Sequence, residues 1–310
     1  MSVLLSMPSP KRRAQWVEQL GAALPGWDVR DADDPGDPAA VEYVVVWQPP
    51  PGWMASFPNL RAIVSIGAGV DHVLADPDCP RDLPIIRTTG EDLTQRMREY
   101  VALHVLRLHR RLPEIEAAAR ERRWSPFVVP PATRRRVGVM GLGNLGGAVA
   151  ETLIALGFQV SGWSRSGADI DGLRSHAGES GRADFLADCE ILVCLLPLTP
   201  DTRGILDAAL FDALPHGASL INAARGQHLV EADLLAALDS GQVSAAALDV
   251  FETEPLPEDH PFWTHPNVLV TPHTASLIDP ASGVAIVADN LREFARHGTV
   301  EDMADAERGY

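Results

Sequence analysis

The chain has 310 residues, of which 46% are hydrophobic and 22% charged, values typical of a globular protein long enough for two domains. Its formal net charge of -16 at pH 7 argues against binding to nucleic acid or to an anionic membrane, since both require a basic surface. No apolar run approaches the roughly 20 residues of a membrane span. The three cysteines lack disulfide-framework and metal-ligand spacing, so we expect a cytoplasmic protein without a metal site.

Short apolar runs alternate with amphipathic stretches, a pattern that predicts βα units and parallel sheets. In the first third, four runs are predicted strands: residues 3–6, 43–47, 62–66 and 85–87. Apolar side chains at helical spacing then predict one long helix over residues 92–122. The next segment, 124–131, contains too many prolines for a helix.

A second series of predicted strands follows: residues 136–140, 159–163, 191–195, 219–222, 245–250 and 268–271. Because helical stretches connect these six strands, they match a doubly wound dinucleotide-binding fold. The spacing over residues 281–296 predicts one more helix before a polar tail.

A GxGxxG turn directly follows the first strand of this second series and opens a predicted helix. Gly141 allows the tight turn, Gly143 lets the backbone approach a pyrophosphate, and Gly146 lets the helix pack closely on the sheet. Asn144 and Leu145 begin the helix, whose backbone N–H groups can face a phosphate. The turn therefore predicts a dinucleotide cofactor, and a purely structural glycine turn is the alternative.

The residues that end the next predicted strand indicate which dinucleotide binds. NAD-type folds place an acidic residue there to bind the ribose hydroxyls, whereas this chain has Ser164, Arg165 and Ser166. A guanidinium can pair with a 2′-phosphate that a carboxylate would repel, and the hydroxyls can donate hydrogen bonds to it. We predict NADP(H), with NAD(H) as the alternative if Arg165 is only a solvated surface residue.

Three polar residues each follow a predicted strand in the C-terminal half: Arg225, Glu254 and His273. Each should lie at a strand's carboxyl end, where open α/β sheets bind ligands. A guanidinium, a carboxylate and an imidazole brought together there would form an anion clamp beside a proton donor. This set suits the reduction of a 2-keto acid, and three ordinary surface residues are the alternative.

Several segments together resemble the D-isomer-specific 2-hydroxyacid dehydrogenases, and the likeness covers nearly the whole chain. They are GLGNLG at 141–146, LLPLTPDT at 195–202, NAARG at 222–226, LDVFETEPLP at 248–257 and TPHTAS at 271–276. Further features resemble the glyoxylate/hydroxypyruvate reductase A branch of that family: Trp47, IGAGVD at 66–71, MREY at 97–100, WSRS at 163–166 and RGY at 308–310.

The resemblance implies an α/β protein with a central Rossmann-type doubly wound parallel sheet and a flavodoxin-like substrate domain built from both chain ends. The substrate-binding domain would comprise residues 1–98 and 279–310, and the dinucleotide-binding domain residues 99–278. It also implies a homodimer formed through the Rossmann domains.

Residue by residue, the resemblance implies that His273 is the acid–base, Glu254 its partner and Arg225 the substrate anchor. The substrate would be a small anionic 2-keto acid, glyoxylate or hydroxypyruvate. Its carboxylate would meet backbone N–H groups of Ala68, Gly69 and Val70, a turn able to bind an anion as a nest does. A structural loop is the alternative for that turn.

Trp47 would wall the substrate pocket, although a core or interface tryptophan is equally consistent with the sequence. The implied cofactor contacts, besides the glycine turn and the residues at 164–166, are Pro197, Thr202, Ala223 and Asp249. Asp249 would bind the nicotinamide carboxamide.

Two other functions stay open. The chain could be a dehydrogenase of a bulkier D-2-hydroxy acid, which Arg87 or Arg98 could help to hold. It could also be a nicotinamide-sensing, corepressor-like binding protein, which would bind NADPH but turn over keto acids negligibly. Formate dehydrogenases, in contrast, would have glutamine in place of Glu254.

Overall fold

The computed structural model describes residues 1–305, so the RGY segment at 308–310 lies outside the described residues. The chain divides into two compact units, Met1–Leu93 with the chain from Ile278 onward, and Thr94–Leu277. Each unit is built on one all-parallel β-sheet. The predicted α/β class is therefore confirmed.

The described residues form twelve strands and nine α-helices. The strands are β1 Ser2–Ser6, β2 Asp28–Asp31, β3 Tyr43–Val46, β4 Ala62–Ser65, β5 Ile85–Ile86, β6 Arg136–Met140, β7 Gln159–Ser164, β8 Arg174–Ala177, β9 Ile191–Cys194, β10 Ala218–Asn222, β11 Val243–Leu248 and β12 Val268–Val270. The helices are α1 Pro10–Ala23, α2 Asp71–Leu74, α3 Glu91–His109, α4 Leu112–Arg120, α5 Asn144–Ala155, α6 Gly178–Ala187, α7 Ala208–Ala213, α8 Glu231–Ser240 and α9 Pro280–His297.

The first unit has a five-stranded sheet in the order β2-β1-β3-β4-β5. This is the strand order of flavodoxin-like folds. Its strands β1, β3 and β4 are buried at every position, which explains why they are continuous apolar runs in the sequence. Helix α9 packs closely on α1, because a methyl group on Gly283 would lie 2.5 Å from Trp16.

The second unit has a seven-stranded sheet in the order β12-β11-β10-β9-β6-β7-β8. Counted from β6, this is the Rossmann order with one additional strand beyond its sixth. The order reverses between β6 and β9, so the carboxyl edge at this point is the switch position where doubly wound sheets bind ligands.

Two strands escape the sequence prediction, β2 with the sequence DVRD and β8 with RSHA. Both are edge strands with polar side chains, so they lack the apolar run that marks a buried strand. Strand β11 also ends at Leu248, two residues before its predicted end.

The single helix predicted over residues 92–122 is wrong, since the structure has two helices, α3 and α4. The chain turns at Arg111, which adopts a left-handed conformation with φ 55°. Pro113 lies in the first turn of α4, where its missing N–H is tolerated, but it cannot continue a helix from α3. Within residues 1–305, no helix has both the length and the apolar character that crossing a bilayer requires.

Candidate active site

Three adjacent strands of the second unit deliver the catalytic candidates to one edge of the sheet. Strands β10, β11 and β12 are parallel neighbours, and the segments after their carboxyl ends carry Arg225, Glu254 and His273. The apolar side chains of these strands pack in the core, so the loops that carry the three candidate residues start from fixed positions.

Glu254 and His273 form a direct hydrogen bond. His273 Nδ1 lies 2.8 Å from Glu254 Oε2, and because the ionised carboxylate can only accept, Nδ1 carries the proton. Burial alone would raise the pKa of Glu254. The hydrogen bond and charge of His273, the Phe251 N–H and the charge of Arg225 together outweigh burial and lower this pKa. Glu254 is therefore a stable anion that orients the imidazole.

Arg225 is held against the same loop. A methyl group on the next residue, Gly226, would lie 1.8 Å from the Phe251 carbonyl carbon, so only glycine permits this contact between the two backbones. Phe251 in turn donates its N–H to Glu254 Oε1 over 3.0 Å. Together with the influence of Arg225 on the pKa of Glu254, these contacts place the guanidinium, carboxylate and imidazole in one site.

Asp249 fixes the segment that carries His273. Its side chain is almost fully buried, and its carboxylate accepts hydrogen bonds from Thr271 Oγ1 at 2.6 Å, Thr274 N at 2.9 Å and Ala275 N at 2.8 Å. The N–H of His273 donates to the Asp249 carbonyl over 2.8 Å. These bonds hold His273 in a left-handed conformation, φ 51°, which a non-glycine residue rarely adopts.

The sequence does not reveal that Tyr100 takes part in this arrangement. Its hydroxyl lies 2.8 Å from Thr271 Oγ1, and since Thr271 donates to Asp249, Tyr100 must be the donor to Thr271. The only indication of such a contact in the sequence is that a buried aspartate after a strand needs hydrogen-bond donors. The contact of Asp249 with the nicotinamide carboxamide stays a prediction.

The neighbouring histidine, His104, is a poor candidate for acid–base chemistry. It is buried against the Tyr100 ring, with the ring centroids 4.3 Å apart. Burial, reinforced by the charge of Arg107, lowers the pKa of His104 to about 4, so the ring is neutral near pH 7. His104 is therefore a packing residue.

The GxGxxG turn lies between β6 and α5. Gly141 has φ +93°, and a methyl group on it would lie 2.6 Å from the Leu195 carbonyl oxygen. At Gly146 a methyl group would lie 1.8 Å from the Gly141 oxygen, so helix α5 can begin here only with glycine. At Gly143 it would meet nothing within 4 Å, and Gly143 and Asn144 are exposed. The turn therefore leaves open space over the N-terminus of α5, as a bound pyrophosphate requires.

The end of β7 has no acidic side chain. Ser164 is its last residue, and its hydroxyl is buried without a hydrogen-bond partner among the described residues. Arg165 and Ser166, which follow, are exposed. An unpaired buried hydroxyl beside an exposed guanidinium fits a ligand that brings its own hydrogen-bonding groups.

The other predicted cofactor residues lie after the neighbouring strands. Thr202 Oγ1 donates to the Pro197 carbonyl over 2.7 Å and accepts from Thr199 N over 2.8 Å, which closes the segment after β9 into a tight turn. Ala223, directly after β10, is buried and donates its N–H to the Cys194 carbonyl. All of these residues thus belong to the carboxyl edge of the seven-stranded sheet.

In the first unit, the turn after β4 contains Ala68, Gly69 and Val70, of which the first two are partly exposed. Ser65 organises it from below, since its buried hydroxyl accepts from Gly67 N over 3.3 Å and lies 2.8 Å from the Gly69 carbonyl. Thr88 donates its N–H to the Gly67 carbonyl and its hydroxyl to the Ser65 carbonyl.

Trp47 lies directly after β3 and covers this turn. A methyl group on Gly67 would lie 3.0 Å from Trp47 Cζ3, so the indole ring rests on the glycine. The His72 ring also packs against Trp47, with the two ring centroids 4.5 Å apart. Trp47 is therefore only partly buried, and its role as a wall of the substrate pocket stays a prediction.

Comparison with known proteins agrees with this architecture. The family model for the D-isomer specific 2-hydroxyacid dehydrogenase NAD-binding domain matches residues 102–275. The glyoxylate/hydroxypyruvate reductase A of Serratia proteamaculans is 42% identical over 301 residues, which is 96% of both proteins, and that of Yersinia enterocolitica is 39% identical over the same length. The chain belongs to the D-isomer-specific 2-hydroxyacid dehydrogenase family, and the resemblance found in the sequence is confirmed.

Solved structures are similar over the full chain. A D-isomer specific 2-hydroxyacid dehydrogenase from Xanthobacter autotrophicus, in complex with NADPH and MES, has 43% identity and a TM-score of 0.93, covering 100% of this chain and 99% of its own. The NADPH-dependent glyoxylate/hydroxypyruvate reductase of Sinorhizobium meliloti, in complex with NADP and sulfate, has 40% identity and a TM-score of 0.94 at the same coverage.

Proposed function

We propose that this protein reduces a small 2-keto acid, glyoxylate or hydroxypyruvate, to the 2-hydroxy acid with NADPH. The observation that carries the proposal is the hydrogen-bonded Glu254–His273 pair with Arg225 beside it, at the edge of the sheet that bears the glycine turn. The names of the relatives from Serratia and Yersinia give the same substrates.

The protein's own groups have distinct tasks in this reaction. The Arg225 guanidinium binds the substrate carboxylate and favours the negative charge that develops on the ketone oxygen. When bound, the reduced nicotinamide supplies a hydride to C2 of the keto acid. His273 transfers a proton from Nε2 to the ketone oxygen, while its Nδ1–H remains hydrogen-bonded to Glu254. In the reverse direction, His273 removes the hydroxyl proton.

The two units have different roles in this proposal. The second unit binds the dinucleotide, and the first unit binds the substrate carboxylate through backbone N–H groups of residues 68–70, with Trp47 limiting substrate size. The corresponding domains are residues 99–278 and residues 1–98 with 279–310. The partly exposed, hydroxyl-braced turn after β4 supports this assignment.

NADPH is the preferred cofactor because the end of β7 offers Ser164, Arg165 and Ser166 and no carboxylate to repel a 2′-phosphate. Replacing Arg165 with alanine should therefore weaken NADPH binding by about tenfold or more and leave NADH binding nearly unchanged, since a charged hydrogen bond contributes about 1.5–3 kcal/mol. Fluorescence titration with both nucleotides measures this, and equal losses for both would argue against phosphate recognition.

A homodimer through the second unit belongs to the same proposal. Apolar side chains of α3, α4 and the segment after them are unusually exposed for a folded chain: Leu103, Ile115, Trp124 and Val128. Trp124 is 95% exposed and Val128 94%, which suits a surface that a second copy covers. Replacing Trp124 with glutamate should shift the mass measured by light scattering toward the monomer, whereas an unchanged dimer would exclude this surface.

We also place the protein in the cytoplasm, where thiols stay reduced. The three cysteines are buried and free, so they form no disulfide within residues 1–305. This is the state that a reducing compartment maintains.

The test of the proposed activity is the initial rate of nucleotide oxidation with glyoxylate, hydroxypyruvate, pyruvate and phenylpyruvate, each with NADPH and NADH. We expect the highest kcat/KM for the two small acids with NADPH. A preference for phenylpyruvate would indicate a dehydrogenase for bulkier acids. Tight NADPH binding without turnover of any acid would favour a cofactor-sensing protein instead.

A further inference from the structure

His228 is fully buried three residues after Arg225, in a short 3-10 helix formed by Gly226–His228. The sequence suggests only that it could border the substrate pocket. In the structure both of its ring nitrogens lie within hydrogen-bond distance of backbone atoms in two different functional segments. A buried imidazole with two specific backbone partners has one defined protonation state, which can be worked out from those partners.

The first partner determines where the proton resides. His228 Nε2 lies 3.2 Å from the carbonyl oxygen of Pro197, and a carbonyl oxygen can only accept. Nε2 therefore carries the hydrogen. The same carbonyl accepts from Thr202 Oγ1 over 2.7 Å, so His228 and Thr202 hold the turn after β9 from two sides.

The second partner fits the neutral ring. His228 Nδ1 lies 3.2 Å from both the N and the O of Arg225. The Arg225 carbonyl already accepts from Asn222 Nδ2 over 3.1 Å and from the His228 backbone N–H over 3.3 Å. An unprotonated Nδ1 accepts from the Arg225 N–H, whereas a protonated one would set two N–H groups against each other.

We propose that His228, as the neutral Nε2–H tautomer, is a positioning residue that ties the backbone of Arg225 to the cofactor-contacting turn at 197–202. The inference rests on the proposed function, in which Arg225 binds the keto acid and Pro197 and Thr202 contact the dinucleotide. His228 itself touches neither ligand. It sets the distance between the residue that holds the substrate and the turn that holds the cofactor.

Two conservative variants separate its two hydrogen bonds. In His228→Asn the amide can present its oxygen near the Nδ1 position and accept from Arg225 N, but it cannot reach Pro197. In His228→Gln the amide nitrogen can donate to Pro197 O near the Nε2 position, but the acceptor for Arg225 N is lost. The same two substitutions at His216, an exposed residue before the amino end of β10, are matched controls.

We expect His228→Asn to raise the Kd for NADPH about fivefold, measured by fluorescence, with KM for the keto acid changed less than about twofold. We expect His228→Gln to raise KM for the keto acid about fivefold, with the smaller change in NADPH binding. His228 variants that match the His216 controls in both quantities would overturn the proposal. Thermal unfolding of each variant confirms that it is folded.

Neutron diffraction from crystals of the unmodified protein near pH 7 needs no variant. A proton on Nε2 and none on Nδ1 is the expected result, and a proton on Nδ1 would overturn the proposal. If the wild-type protein bound NADPH but reduced no keto acid, the proposed function would fail. The proton position and the NADPH affinity of His228→Asn would still test the link to Pro197.

Discussion

Each of the two units presents a glycine-containing turn at the carboxyl edge of its sheet, and the two turns are held by opposite means. The turn after β4 is tied by hydroxyl groups, with Ser65 bonded to Gly67 and Gly69 and Thr88 bonded to the same segment. The GxGxxG turn is held by close backbone approach, since methyl groups on Gly141 or Gly146 would overlap backbone atoms.

The difference fits the ligand that we propose for each turn. A pyrophosphate needs broad, direct access to backbone N–H groups. Glycine, which has no side chain, therefore occupies the positions where two backbone segments approach each other closely. A small carboxylate needs only a few N–H groups in a fixed orientation, which hydroxyl groups beneath the turn can provide. Substitutions in the turn after β4 should therefore weaken ligand binding gradually. Substitutions at the closely packed glycines of the GxGxxG turn should cause large losses of binding.

The largest effect is expected from Gly146→Ala. Its methyl group would lie 1.8 Å from the Gly141 oxygen, so the turn or helix α5 must move. NADPH affinity should fall by about 100-fold or more, and the free energy of unfolding by about 1–3 kcal/mol, as for other overpacked sites. Fluorescence titration and urea unfolding measure the two losses. Wild-type NADPH binding by this variant would mean that close packing does not define the turn.

Gly143→Ala separates pyrophosphate binding from backbone packing in the same turn, because the added methyl group meets no protein atom within 4 Å. The free energy of unfolding should change by less than about 0.5 kcal/mol, as at other unconstrained surface positions. NADPH binding should still weaken, by roughly tenfold, since the methyl group occupies the path of the pyrophosphate. Unimpaired NADPH binding would place the pyrophosphate elsewhere.

A smaller effect is expected from Ser65→Ala in the other turn. Loss of the buried hydroxyl removes hydrogen bonds worth about 1 kcal/mol, so KM for the keto acid should rise about fivefold. The Kd for NADPH should be unchanged. Ser56→Ala, which removes an exposed hydroxyl from the same unit, is the control. An unchanged KM in Ser65→Ala would show that this turn does not bind the substrate.

Acid should affect the Glu254–His273 pair before it affects either turn, because the hydrogen bonds of both turns involve no titratable side chain. The pKa of Glu254 is lowered in the folded protein, so its ionised form adds stability above the unfolded value of about 4.3. That stability is lost as pH falls through the lower folded value. The destabilisation caused by Glu254→Gln should therefore be largest at pH 7 and shrink below about pH 4.3. Urea unfolding of both proteins tests this, and a difference that grows in acid would contradict it.

The sequence predicts the features that depend on local sterics or on buried strands. The GxGxxG turn could be located because side chains at two of its glycines would overlap neighbouring backbone atoms. The candidate trio Arg225, Glu254 and His273 could be located because each member follows an apolar strand. The edge strands β2 and β8 could not be located, because polar strands have no apolar period.

The hydrogen bonds that support the site are equally absent from the sequence pattern. Tyr100 and Thr271 are 171 positions apart, and His228 reaches Pro197 across 31 positions. Such contacts depend on how whole strands and helices pack, so a local sequence pattern does not identify the partner residues.

The decisive test of His273 as the proton donor in keto-acid reduction compares single-turnover rates with NADPH and glyoxylate in wild type and His273→Ala. The rate should be at least about 100-fold lower in the variant, as expected for loss of a general acid, with NADPH affinity unchanged. A near-normal rate in His273→Ala would contradict it.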